Sequence, residues 1–344
     1  MAKSRSAPRL ADVAERAGVS LATASRSLAG REGVSESVAA HVREVALQIG
    51  YVANVHARTL AGGATSTVGL IVHEIGDPYF SEIASGVLGV ATERGLTVQI
   101  CHSGRDPGNE LHQIRTLIAH RTDAIVIAGS GYTDPALQEE SDRVLTAFQE
   151  TGGRVAVIGR HHLSVDAVLP DNKPAGEVIG AHVLSLGHRR IGILAGSPLL
   201  TTVADRLAGI EAALHAEGLS LDDIPVLHTE FTRDGGHAGA EELLREHPDL
   251  TAIIALNDAM AIGVLSVLRK HGVAVPGQIS VAGFDDVAVA ADLAPSLTTV
   301  KLPMVEMGAA ALTMALKPAS ARRRRKGTGH QLMARDSTGP VRAR

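Results

Sequence analysis

The sequence predicts a small all-α headpiece followed by a larger α/β body whose parallel, doubly wound sheets form two lobes. Apolar residues near the N-terminus recur at helical spacing over short stretches. From Val68 onward the pattern becomes apolar strand, polar loop, amphipathic helix, repeated. A chain of 344 residues, 45% of them apolar, also has more strands than one open sheet comfortably organises, which favours two lobes.

In the headpiece, Leu10, Val13, Ala14 and Ala17 fall at i, i+3, i+4 and i+7, one apolar face of a helix that Gly18 stops. Ser20 is placed to cap a second helix, with Leu21, Ala24 and Leu28 as its inward stripe. Two short helices about a glycine turn are the helix-turn-helix signature of DNA readers, and spacing alone leaves an ordinary helical hairpin open. Val38, Val42, Val45, Ala46 and Ile49 mark a third helix, capped by Ser35 and ended by Gly50. The stretch from Asn54 to Ala61 is too short to hold as an isolated helix, so it is expected to order only when docked. Gly62 and Gly63 follow as a flexible joint.

In the body, strands are expected at 68–72, 97–101, 124–128, 155–159, 191–195, 251–256 and 279–284. Their continuous apolar runs are those of strands buried on both faces, and the helical stretches between most of them imply parallel pairing. Ligands of such sheets bind beyond the carboxyl ends of the strands. Those ends lead here into Asp77, Arg160, Asp171, Asn257 and Asp285. The chain has three Tyr, four Phe and no Trp, yet Tyr79, Phe80, Tyr132 and Phe284 all fall at these mouths. Acidic, amide and guanidinium groups beside aromatic faces suit a sugar or nucleoside pocket.

Charge is unevenly placed. Residues 1–65 hold eight Lys/Arg against five Asp/Glu, so the net −4 of the chain lies in the body. The one cysteine, Cys101, sits in an apolar run and is expected as a buried free thiol, which excludes a disulfide framework. No apolar run reaches membrane-spanning length and the N-terminus lacks an apolar leader, so a cytoplasmic protein is expected. Neither GxSxG, HExxH, CxxC nor a P-loop occurs. The pair His161-His162 with Asp166 is read as chance among sixteen histidines, not as metal ligands, and RRRRK at 322–326 as a solvated crossover loop. A sugar-binding receptor and a sugar-processing enzyme are the competing classes. The first lacks its leader and carries an unneeded headpiece; the second requires carboxylates set about a scissile bond.

DVAERAGVSLATASRSL resembles the helix-turn-helix of the bacterial lactose/galactose-repressor (LacI/GalR) family of transcription regulators, and NVHARTLA resembles its hinge helix. SLGHRRIGILAG (185–196), DRLAG from Asp205, LNDAMAIGVL (256–265), ISVAGFDD (279–286) and PSLTTVKLP (295–303) continue the match in the family's order. The resemblance implies a headpiece at 1–53, a hinge helix and linker at 54–65, and a periplasmic-binding-protein-like body at 66–344. Lobe one is then about 66–167 and 298–328, and lobe two about 168–297 and 329–344, with three crossings between them.

It also implies a homodimer on a near-palindromic operator, a small-molecule effector, and no cofactor, metal or membrane partner. Leu21 and Ala22 occupy the positions that choose the half-site, with Ser20, Thr23, Ser25 and Arg26 beside them. Arg26 suits either guanine in the major groove or a phosphate. Asn54, His56 and Arg58 would flank Leu60, which in the family wedges into a base step from the minor groove; packing of Leu60 against the body is the alternative. The effector set carried over is Tyr79, Phe80, Arg160, Asp171, Arg206, Phe231, Asn257, Asp258 and Asp285, with Asp77 weaker. Ala53 replaces the usual proline before the hinge, and Ala24 the usual valine of the recognition helix. Leu200 stands where purine-type members have arginine, which favours a neutral sugar. The C-terminus carries no leucine-repeat tail, so a dimer is expected in preference to a tetramer.

Overall fold

The computed structural model describes residues 8–30, 32–51, 67–318, 320 and 322–341, and the chain divides into two compact units, Met1–Ser66 and Thr67–Arg344. The first is built from α1 (Leu10–Arg16), α2 (Leu21–Ala29) and α3 (Glu36–Gln48). Val13, Ala14, Ala24, Val42, Val45 and Ala46 form its core, flanked by half-buried Leu10, Val19 and Leu28. Gly18 turns the chain in the left-handed region, and the hydroxyl of Ser20 accepts the Thr23 amide at 3.0 Å, closing the N-terminus of α2. Ser35 also takes the N-cap position of α3, but its hydroxyl bonds to Ser37 and caps nothing. Leu21 departs from the inward stripe. It is 54% exposed, because position one of α2 faces away from the core that Ala24 enters.

In the second unit the chain runs β1 (Thr67–Val72), α4 (Pro78–Glu93), β2 (Thr97–His102), α5 (Pro107–Ala119), β3 (Ala124–Ala128), α6 (Glu139–Glu150), β4 (Arg154–Ile158) and β5 (Asp166–Leu169). It then crosses into α7 (Asn172–Ser185), β6 (Ile191–Ala195), α8 (Thr201–Ala216), β7 (Val226–His228), α9 (Arg233–Glu246), β8 (Ala252–Ala255), α10 (Asp258–Lys270) and β9 (Ser280–Ala282). Finally β10 (Thr299–Lys301), α11 (Met304–Ala315), β11 (Arg325–Gly327) and β12 (Gln331–Met333) recross between the lobes. Lobe one holds a parallel sheet in the order β11-β5-β4-β3-β1-β2, lobe two a parallel sheet in the order β7-β6-β8-β9, and β10 and β12 pair antiparallel at the crossings.

The apolar runs are explained by two-sided burial. In β3, Ala124, Val126 and Ala128 enter one core while Ile125 and Ile127 enter the other. β5, β7, β10 and β11 are short and polar enough to carry no such signal. β11 corrects the reading of RRRRK as loop at its end: residues 322–324 are loop, with Arg324 tied to Asp166 at 2.8 Å, but Arg325–Gly327 pairs in parallel with β5 as a charged, exposed edge strand. Cys101 is half-buried, not buried, on β2 at the opposite edge.

Three helix pairs are joined by glycines on both partners. A Cβ on Gly86 of α4 would lie 1.9 Å from the Val305 carbonyl oxygen, and one on Gly308 of α11 2.0 Å from that of Ile83. Gly176 and Gly209 do the same for α7 and α8, and Gly236 and Gly263 for α9 and α10. Gly209→Ala places its methyl 2.0 Å from the Lys173 carbonyl oxygen, so it should lower stability by about 1–3 kcal/mol in urea unfolding despite the better helix propensity of alanine.

Candidate functional site

Arg206, in the second turn of α8, is the largest fully buried side chain of the body. Its Nε donates to Asn172 Oδ1 at 3.0 Å, one terminal nitrogen to the Leu256 carbonyl, and the other to Asp285 Oδ1 at 2.7 Å. Its guanidinium lies 3.7 Å above the Phe284 ring. These partners come from the start of α7 and the carboxyl ends of β8 and β9. Asp285 itself has φ +112°. Burial pushes its carboxyl from 3.8 up to about 7, against the opposing pull of Arg206.

Around this group the lobes meet. Tyr132 and Leu200 form an antiparallel bridge, with the Thr133 amide donating to Leu199 at 2.8 Å and the Thr201 amide to Gly131 at 2.9 Å. The Thr202 amide donates to Ser130 Oγ at 2.9 Å, and Thr201 Oγ1 to the Arg160 carbonyl at 2.7 Å. Arg105, in the turn after β2, reaches between Phe80 of lobe one and Phe231 of lobe two, 5.9 and 5.7 Å from their centroids, and lies 3.6 Å from Asp77. Asp77 caps α4 through the Tyr79 amide at 3.0 Å, and burial raises its carboxyl. Tyr79 stands edge-on to Phe80, its hydroxyl pushed up by burial and by the nearby Asp285.

The cavity between the lobes is lined by Tyr79, Phe80, Arg206, Phe231, Asn257 and Asp285 from the expected set, and by Asp77. Asn257 caps α10 through Met260 and donates its Nδ2 to the Phe231 carbonyl at 3.2 Å. Three expected residues lie outside. Arg160 turns to Asp205, with bonds of 3.1 and 2.7 Å, and joins the lobes beside the cavity. Asp171 pairs with His330 on a crossing segment at 2.5 Å. Asp258 is wholly buried behind the cleft, accepting from Thr299 Oγ1 at 2.6 Å and the Val287 amide at 2.9 Å, and burial raises its carboxyl far above the ordinary range. Phe284 forms the floor beneath Arg206 and Tyr132 is buried behind the bridge, so neither lines the cavity.

His73, Arg105, Ser130 and Thr202 line it without having been expected. His73 and Arg105 follow the carboxyl ends of β1 and β2, so the strand-end rule covered them. Their spacing carried no further signal.

In the headpiece, Leu21, Ala22 and Arg26 are exposed on one side of α2, with Thr23 and Ser25 half-buried and Ser20 exposed at its start. Asn54, His56, Arg58 and Leu60 lie outside the described residues.

Residues 9–54 match the family described as bacterial regulatory proteins, lacI family. Residues 65–330 match that of periplasmic binding proteins and the sugar binding domain of the LacI family. The transcriptional regulator AscG of Escherichia coli is 35% identical over 303 residues, 86% of this chain and 87% of its own. Among solved structures, the complex of the regulator CelR with cellobiose is similar at TM-score 0.70 and 29% identity, covering 96% of this chain and 99% of that one. A LacI-family regulator of Enterococcus faecium with bound ribose is similar at TM-score 0.72 and 25% identity, covering 80% and 100%.

Because folding raises the Asp285 carboxyl, its contribution to stability is fully present below about pH 4 and lost as pH rises through about 7. Unfolding midpoints measured from pH 4 to pH 8 should therefore show a downward component that Asp285→Asn removes.

Proposed function

The chain belongs to the lacI family of bacterial regulatory proteins, and from that membership we propose that it is a cytoplasmic homodimeric repressor whose hold on operator DNA is set by a neutral sugar bound between the lobes of the body. The headpiece would occupy residues 1–53 and the hinge 54–65, with the remainder binding the effector and the second copy. The observation that carries the effector reading is the cavity wall. Phe80 and Phe231 supply flat apolar faces, while Arg206, Asn257, Asp285, Ser130 and Thr202 supply directional polar groups.

Its charges favour a neutral ligand. Arg206 is matched by Asp285 and Arg105 faces Asp77, so each cleft arginine has a carboxyl of its own. Leu200 is buried against Tyr132 and offers the cleft no charge. Ribose and cellobiose, bound by two similar proteins, are the first sugars to test. Calorimetry of the full chain against a monosaccharide and disaccharide panel should find one that binds. Gel-shift titration with that sugar should move operator affinity by about 5- to 150-fold. Heat from a nucleobase alone would reject the sugar.

Operator choice is assigned to Leu21 and Ala22, with Arg26, Ser25 and Thr23 as polar contacts; Asn54, His56, Arg58 and Leu60 are proposed hinge contacts on the family pattern. The exposure of Leu21 supports this, since a leucine held out of a thin core is free for apolar contact with thymine methyls. Leu21→Gln should change the preferred half-site in a binding selection while leaving the unfolding free energy unchanged to within about 0.5 kcal/mol.

A further inference from the structure

Behind the cleft wall of lobe one lies a buried polar cluster. His73 Nε2, both carboxyl oxygens of Glu110 and the hydroxyl of Tyr132 are buried with no hydrogen-bond partner among the described residues. Each of these residues is 99% buried. Leaving a buried polar atom without a partner is costly, so these four call for a reason. They are complementary: a carboxylate only accepts, a tyrosine hydroxyl donates, and an imidazole donates from whichever nitrogen carries hydrogen. Nε2 of His73 is 3.7 Å from Glu110 Oε2. Burial and the charge of Glu110 together push the Tyr132 hydroxyl up, which puts the two in electrostatic reach.

The other groups around His73 are already engaged. His161 gives its Nε2–H to the Gly129 carbonyl at 3.1 Å and accepts the Gln138 amide on Nδ1 at 3.0 Å, so it has nothing left for Glu110. Arg105 faces Asp77, and across the cleft Arg206 faces Asp285. Glu110 is left with His73 and Tyr132. The ring of His73 is also held in place, 2.8 Å from where a Cβ on Gly129 would stand and 5.8 Å from the Phe80 centroid, and it lines the effector cavity.

We propose that His73 is an effector-contacting side chain and that Glu110 behind it is a positioning residue. Glu110 draws the Nε2–H of His73, which presents Nδ1 to the cleft as an acceptor for a hydroxyl of a neutral saccharide. This rests on the reading of the cleft as a sugar site. It adds a selection rule: ligands that donate a hydroxyl at that wall are taken, and phosphorylated or carboxylated analogues that bring only acceptors there are refused.

The full chain labelled with nitrogen-15 histidine gives the first test, the His73 signals being identified by their loss in His73→Gln. The parent should show the Nε2–H tautomer; Glu110→Met, which removes both acceptors at similar volume, should give a mixture, and Glu110→Gln, which keeps one acceptor oxygen, should restore most of it. An Nδ1–H tautomer in the parent, or no response to Glu110→Met, overturns the pairing. In calorimetry with the tightest-binding member of a panel containing ribose and cellobiose, Glu110→Met and His73→Phe should each weaken binding about tenfold, and the double variant no further. The unfolding midpoint of Glu110→Met should match or exceed the parent's. Additive losses, or none, overturn the contact. If no sugar binds the parent, the sugar reading falls while the tautomer measurement still decides the pairing.

Discussion

One buried guanidinium holds the ligand-facing end of lobe two together. Arg206 bonds to Asn172, the Leu256 carbonyl and Asp285, three acceptors from three separate segments, and covers Phe284 as a fourth contact. Bringing such a group out of water costs several kcal/mol, and a buried pair repays this only when geometry is good and the remaining donors are satisfied. Here Nε and both terminal nitrogens each make a bond, and the aromatic face covers one side. The arrangement fixes the mouths of β8 and β9 and the start of α7 relative to α8. Burial raises the carboxyl of its counter-ion, Asp285, against the pull of that same guanidinium, on a backbone conformation uncommon for a residue with a side chain.

That arginine reaches its partners because backbones lie close elsewhere. Gly209 is three residues beyond Arg206 on α8, and Gly176 is four beyond Asn172 on α7; each lets the other helix approach to a separation that a methyl group would forbid. The 3.0 Å bond between Arg206 and Asn172 spans the same seam. The pairs α4 with α11 and α9 with α10 use the same device, so these three helix pairs are set by glycine, whereas α5 and α6 pack through Ile114, Leu117 and Leu145.

The regular part of this fold was legible in the sequence because burial on two faces writes itself as a continuous apolar run. β3 and β6 begin and end at the residues those runs mark. β11, with arginine and lysine, and β7, three residues long, are strands only because a neighbour supplies the ladder, and no local pattern records that. At the site, strand-end position brought out Tyr79, Phe80, Asn257 and Asp285, all of which line the cavity. Position could not say which way a side chain turns. Arg160 turns to Asp205, Asp171 to His330 and Asp258 to Thr299, each finding a partner distant in sequence. Leu21 shows the same limit in the headpiece, since helical spacing placed it on the inner stripe while the end of the helix turns it out.

The contacts between the lobes constrain how an effector can act. The bridge of Tyr132 with Leu200, the bonds of Thr201 and Thr202, and the ion pair of Arg160 with Asp205 all join protein to protein. Closure is therefore not made of ligand-mediated contacts alone, and a ligand shifts it only by the difference in its affinity for closed and open bodies. Groups that change partners between those states carry that difference. Arg206 and Asp285 both belong to lobe two and can keep their bond whether the lobes are together or apart. Arg105 stacks on Phe80 from its own lobe and on Phe231 from the other, so opening removes one of its two aromatic faces. Arg206 and its partners thus keep their contacts within one lobe, whereas Arg105 and the bridge at Leu200 hold contacts that span both.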